Sequence, residues 1–175
     1  MRRSFALACA SLALALLAAP FVALPLDAQG PAARSVALGA SGDLLAHLKV
    51  IEAARNFERD GGGDHGGYSR VLAGLRDVIS DSEIAIINLE TPLSMRIPPV
   101  SADPPTLGAP PAIASALSDV GVDVVSVANN HAYDQGAQGM LETLAALASA
   151  QVASIGADAD AARAAGPHIA VRGGV

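Results

Sequence analysis

The chain has 175 residues, 51% of them hydrophobic, yet only 3% are aromatic and none is tryptophan. A single domain is the natural reading of that length, with a core built from Ala, Val, Leu and Ile. A formal net charge of −6, without a basic patch or aromatic stacking platform, argues against nucleic acid as a partner; the single cysteine, Cys9, leaves no thiol chemistry beyond residue 9.

Arg2 and Arg3 precede an uninterrupted run of small and apolar residues, Phe5 to Ala19, and Pro20 and Pro25 then break any helix. Ala28 offers a small residue for cleavage before Gln29, so residues 1–28 read as a secretory leader. The alternative is an uncleaved anchor from Phe5 to Leu26, nearly long enough to span a bilayer. Both readings place the domain outside the cytoplasm, periplasmic or extracellular. Residues 29–34, with Gly30 and Pro31, form a linker to a domain covering 35–175.

Ser35 to Ala40 alternates into an apolar strand that ends in Ser41-Gly42-Asp43. Asp43 falls just past the strand end, and His47 sits about one helical turn on. A glycine ahead of a carboxylate lets the chain turn sharply and present the acid, though Asp43 is also a plausible helix cap. Residues 44–59 read as a helix, and Asp60 to Gly67 as a flexible loop in which His65 is solvent-exposed. Tyr68 to Ser80 has apolar residues at helical spacing, a core-facing helix. Glu83 to Leu89 is a second strand, and Asn88 and Glu90, two apart at its tip, point to one face. Such a pair suits a hard or borderline cation, unless Glu90 merely pairs with Arg96.

Leu93 to Pro111 is proline-rich and irregular, a functional rim or lid or a mobile loop. A helix from Pro110 to Val120 ends at Gly121, and Val122 to Ala128 is a valine-rich strand buried on both faces. Its tip carries Asn129, Asn130, His131 and Asp134, followed by a Gly136-x-x-Gly139 turn and a helix from Met140 to Ala150. A short strand, Val152 to Ile155, a helix from Gly156 to Ala165 with Asp158 near its start, and a strand beginning at Ile169 to Arg172 complete the order. Strands alternating with helices imply an α/β fold with a largely parallel sheet.

Ligands of such sheets sit beyond the carboxyl ends of the strands. Three successive strands end in candidate ligands: Asp43 with His47, Asn88 with Glu90, and Asn129, Asn130, His131 with Asp134. Carboxylate, amide oxygen and imidazole without thiol suit Mn, Mg, Zn or Fe. Two such ions held close together would activate a water and neutralise a phosphoryl transition state.

The segments GASGDLLAH, INLETPLS and ALSDVGVDVVSVANNHAYDQGAQGMLETLAAL, with a trailing IGAD, resemble the poly-γ-glutamate capsule synthesis (CapA) family. That family is related to the calcineurin-like metallophosphoesterases, and the resemblance runs from Val36 to Val175. It implies the N-terminal half of a four-layer α-β-β-α sandwich with a metal site at the strand ends. It implies Asp43, Asn88, Glu90 and Asn130 as metal ligands and His131 as the catalytic group that orients or protonates a phosphate. His47, Asn129 and Asp134 are supporting. Two positions depart from the superfamily pattern: His47 follows Asp43 by four residues rather than two, and Glu90 stands where related phosphoesterases use Asp. The family continues into a second half with further histidine motifs, and His168 matches neither. The expectation is thus an N-terminal portion holding about half of the site, of marginal stability and weak metal affinity.

Two functions follow from these readings. One is an exported metal-dependent hydrolase acting on a phosphoester or an anionic polymer. The other is a non-catalytic accessory of polymer synthesis or export, working with membrane-bound capsule synthesis proteins, or an inert fragment.

Overall fold

The computed structural model describes residues 34–172; the expected leader and nearly all of the linker lie outside the described residues. Four strands form one all-parallel sheet in sequential order: β1 (Leu38–Leu44), β2 (Ile84–Leu89), β3 (Val124–Ser126) and β4 (Ala153–Ile155). Between β1 and β2 come α1 (Leu48–Arg59), α2 (Tyr68–Val71) and α3 (Ala73–Ile79). Helix α4 (Ala112–Val120) leads into β3, α5 (Gly136–Ser149) into β4, and α6 (Ala161–Ala164) follows. The expected α/β class and parallel sheet are what the chain forms.

Sequential order has a geometric consequence. Parallel crossovers are right-handed, so when each strand is added on the same side of the last, every connecting helix falls on one face. Burial along β2 follows that rule. Ala85, Ile87 and Leu89 are buried, whereas the alternate residues Ile84, Ile86 and Asn88 are only half-buried. The core is Ala85, Ile87, Leu89 and Val125 of the sheet packed on Ile51 and Ala54 of α1, Tyr68, Ile79, Leu117 of α4 and Leu147 of α5. Ile84, Ala153, Ile155 and the 63%-exposed Leu38 line the other, open face.

Several elements differ from expectation for local reasons. Strand β1 runs on to Leu44 because a register shift between Ala40 and Asp43 absorbs Ser41 and Gly42, so Asp43 pairs with Asn88 inside the ladder. The following helix therefore begins at Leu48, with His47 as its cap residue and the Ala46 N–H held by Thr91 Oγ1 at 2.8 Å. The helix expected over 68–80 is broken at Leu72, two residues before Gly74, a weak helix former. Helix α5 starts at Gly136 rather than Met140, with Gly139 inside it. Helix α6 is confined to four residues, started by Asp160, whose carboxylate accepts from the Ala162 N–H at 2.7 Å.

The strand expected at Ile169 to Arg172 does not form, and the expected strand-edge residue His168 is simply exposed. Ile169 and Val171 are exposed there, and Arg172 pairs with Asp123 at 3.0 Å. His65 is half-buried rather than free in solvent, bonded through Nε2 to Asp119 at 2.8 Å. Among the described residues no helix is long and apolar enough to cross a membrane.

Gly67 joins the 60–67 loop to α2 at φ +81, and a Cβ there would collide with the Ala54 carbonyl of α1. Gly67→Ala should therefore cost at least about 1–3 kcal/mol, the range for a forced left-handed residue, before the clash is counted. Urea denaturation followed by circular dichroism measures it; an unchanged midpoint would contradict this packing.

Candidate functional site

The carboxyl ends of β1, β2 and β3 are joined by side-chain hydrogen bonds. Asp43 and Asn88 are register partners, and the Asn88 Nδ2 donates to Asp43 Oδ1 at 2.7 Å. Beyond β3, Asn129 Nδ2 donates to the Leu89 carbonyl at 2.9 Å and approaches Asn88 Oδ1 at 3.4 Å. Asn129 Oδ1 accepts from the His131 N–H at 3.1 Å, an Asx turn that fixes the loop. His131 Nδ1 then meets Asp134 Oδ2 at 2.8 Å. Five residues that lie 91 positions apart at their extremes are thus wired into one array.

The array fixes the protonation pattern of its histidine. An ionised carboxylate only accepts, so the imidazole nitrogen facing Asp134 carries the proton and Nε2 is left as the working atom. The side chains of His131 and Asp134 are 14% and 18% exposed, which shields this pair from solvent competition. Asp134 Oδ2 also accepts from the Leu107 N–H at 2.6 Å.

Glu90 and Asn130 stand on the same tips. The Glu90 N–H donates to the Leu44 carbonyl at 3.2 Å, which brings its backbone to the end of β1. Among the described residues neither the Glu90 nor the Asn130 side chain has a hydrogen-bond or ion-pair partner. The expected alternative partner of Glu90 is engaged elsewhere, since Arg96 pairs with Glu142 at 3.0 Å. His47 is not part of the array; its Nε2 meets Ser101 Oγ at 2.8 Å.

The proline-rich segment after Pro92 is clamped by α5 and the turn before it. The 2%-exposed Gln135 accepts from the Ile97 N–H at 2.7 Å and donates to the Ile97 and Leu107 carbonyls at 2.9 and 2.8 Å. Thr143 Oγ1 accepts from the Leu93 N–H at 2.9 Å, and Ser94 Oγ donates to Glu142 at 2.6 Å. Cβ atoms at Gly108 or Gly139 would strike the Gln135 side chain, so both glycines are cut to admit it. Sequence reading missed Gln135 and Glu142; the spacing of Gly136 and Gly139 signalled a turn, while the close approach came from Gly108 far upstream.

A bacterial capsule synthesis protein family, PGA_cap, matches residues 37–175. The chain belongs to this PGA_cap family. Two relatives named as probable polyglutamine synthesis accessory proteins, from two strains of Mycobacterium tuberculosis, are each 36% identical over 93 residues. Those residues are 53% of this chain and 24% of the relative, so the chain spans a minor part of the relatives' length.

The metal that the family resemblance implies can be weighed against these donors. Asp43, Asn88, Glu90 and Asn130 are oxygen donors of the kind a hard divalent cation takes, and Glu90 and Asn130 have uncommitted side chains. Among the described residues, however, no three His, Cys, Asp or Glu groups cluster in a metal-holding arrangement. The chemistry fits one side of a cation site, on the strand ends.

Two outcomes follow from the clamp. Gln135→Ala should leave the part-buried Ile97 amide and carbonyl and the buried Leu107 carbonyl without this partner, cost about 1–3 kcal/mol, and speed trypsin cleavage after Arg96; proteolysis rates matching wild type would contradict the clamp. The hydroxyl of Ser94 holds the Glu142 carboxyl below the usual glutamate range against the opposing pull of burial, with Arg96 assisting. A depressed folded value contributes stability above the unfolded one that is lost as pH falls through the folded one. Glu142→Gln should therefore flatten the fall of stability in that acidic window, as read by thermal melts from neutral pH downwards.

Proposed function

We propose that this chain carries one side of a metal-dependent phosphoester hydrolase site, serving capsule or poly-γ-glutamate synthesis as an exported protein. The single observation that carries the reading is the His131–Asp134 pair at the end of the Asp43–Asn88–Asn129 array. A histidine whose Nδ1 is committed to a shielded carboxylate is set up for proton transfer at Nε2. In this reading Nε2 hands a proton to the leaving oxygen, and Asp134 stabilises the imidazolium before and the tautomer after. Asn88 orients Asp43 by occupying one of its oxygens, which leaves the other for a ligand. A divalent cation held by Asp43, Asn88, Glu90 and Asn130 would supply charge neutralisation and an acidified water. The leader-like residues 1–28 support export, to the periplasm or beyond.

A second reading draws on the relatives. Proteins named as accessory to polymer synthesis support a non-catalytic role beside membrane-bound synthesis proteins. The small number of acidic donors in the array favours it too.

Metal titration and esterase assays separate the two. Calorimetry with Mn²⁺ should show saturable binding that Asp43→Asn weakens. His131→Ala should leave that binding intact while lowering hydrolysis of an activated phosphodiester by about 10²–10⁴-fold. A wild-type chain that binds no Mn²⁺ or Zn²⁺ and turns nothing over would leave the accessory role.

A further inference from the structure

Asp43 belongs to two surroundings at once. Its Oδ1 accepts from Asn88 in the polar array, and the same residue stands in the walls of two hollows, of about 200 and 220 Å³, that flank the end of β1. Both hollows share Leu44, Val71 and Leu72. Neither wall contains a lysine, arginine or histidine.

These walls are apolar without being packed shut. Leu44, Val71, Leu72 and Leu75 lie against the core yet keep part of their surface exposed. Gly42 and Gly74, in the wall of the larger hollow, have no atom within 4 Å of where a Cβ would sit. β1 is an outer strand of the described sheet, so the open space at Gly42 leaves a way past its edge from the strand tips.

A ligand that spans both surroundings is amphiphilic. An anionic phosphoryl group finds no counter-charge in the hollows, and the Asp43 carboxylate repels it unless a cation stands between them. An aliphatic chain gains by leaving water there, about fourfold in affinity for each buried methylene. A hollow of this size holds roughly seven methylene-sized groups. We propose that the substrate is a phosphoester of an aliphatic alcohol, with its phosphoryl group at the polar array and its alkyl chain in these hollows. Hydrolysis passes the oxygen of water to phosphorus and releases the alkanol, whose new proton comes from His131 Nε2; the proton that water loses restores the histidine. This inference rests on the hydrolase reading and names a substrate class for it.

The test uses the full chain, methyl-labelled at Ile, Leu and Val and loaded with Zn²⁺, titrated with methyl-, butyl- and hexylphosphonate. Their P–C bond resists hydrolysis, so binding alone is read. Affinity should rise about fourfold per methylene, and only the two longer chains should shift the Leu44, Val71 and Leu72 methyl signals saturably. Gly74→Leu puts a side chain into open space at the larger hollow and a better helix former into α3. It should keep the affinity for methylphosphonate and lose most of the gain with chain length. Methyl- and hexylphosphonate binding equally well would overturn the subsite and leave the hydrolase reading standing. Hexylphosphonate binding as tightly without Zn²⁺ would overturn the junction at Asp43. A chain that takes up neither Zn²⁺ nor any phosphonate would overturn both readings.

Discussion

Parallel strands can be joined only by crossovers, and crossovers of fixed hand cannot choose their side once the strand order is set. Here the order is strictly sequential, so α1 to α5 gather on one face of the sheet and the apolar core forms there. Everything else follows from that one-sided cover. The helices absorb the alternate residues Ala85, Ile87 and Leu89, and Asn88 is delivered to the opposite side by the two-residue period of the strand. Asp43 reaches the same level because the register shift in β1 sets it against Asn88. The polar array is thus a product of register, before any question of chemistry arises.

The strand tips would remain loosely placed without the segment that crosses near them. Residues 93–109 have almost no regular structure beyond a bridge between Val100 and Thr106. They are nonetheless fixed at both ends, by the Pro92 carbonyl accepting from the Ala109 N–H and by Gln135, Glu142 and Thr143. Prolines reduce the number of backbone donors needing partners, and those of Leu93, Ile97 and Leu107 are met by side chains of α5 and its approach. A long loop is therefore held as a wall, with Ser101 touching His47 at its outer end. Apolar Met95, Ile97 and Val100 remain on its surface.

Much of this was legible in the sequence because it rests on period and composition. The valine run before Ala128, the alternation of Glu83 to Leu89 and the helical spacing after Gly136 give element type and order, and order gives the parallel sheet. The concentration of polar residues after each strand gives the site's edge, and family-specific motifs name it. Other features depend on contacts between distant positions. The end of β1 could not be read from Ser41 and Gly42, because only Asn88 across the ladder shows that Asp43 is still paired. The break at Leu72 interrupts an unbroken apolar pattern. The tail at 169–172 has the residues of a strand, but no neighbouring edge pairs with it among the described residues. Gln135 was invisible for a related reason, since its importance lies in the Ile97 amide and the Ile97 and Leu107 carbonyls that it meets from 28 to 38 positions away.

Asp134 Oδ2 serves two donors at once, the Leu107 amide and the His131 ring. An oxygen so shared divides its electron density between them. Drawing Leu107 away would leave that oxygen to the imidazole alone and free the segment from the ring. The wall and the ring are in this way joined through one oxygen: the carboxylate that orients the imidazole is also the one that pins the proline-rich strap, so a displacement of either is felt by the other.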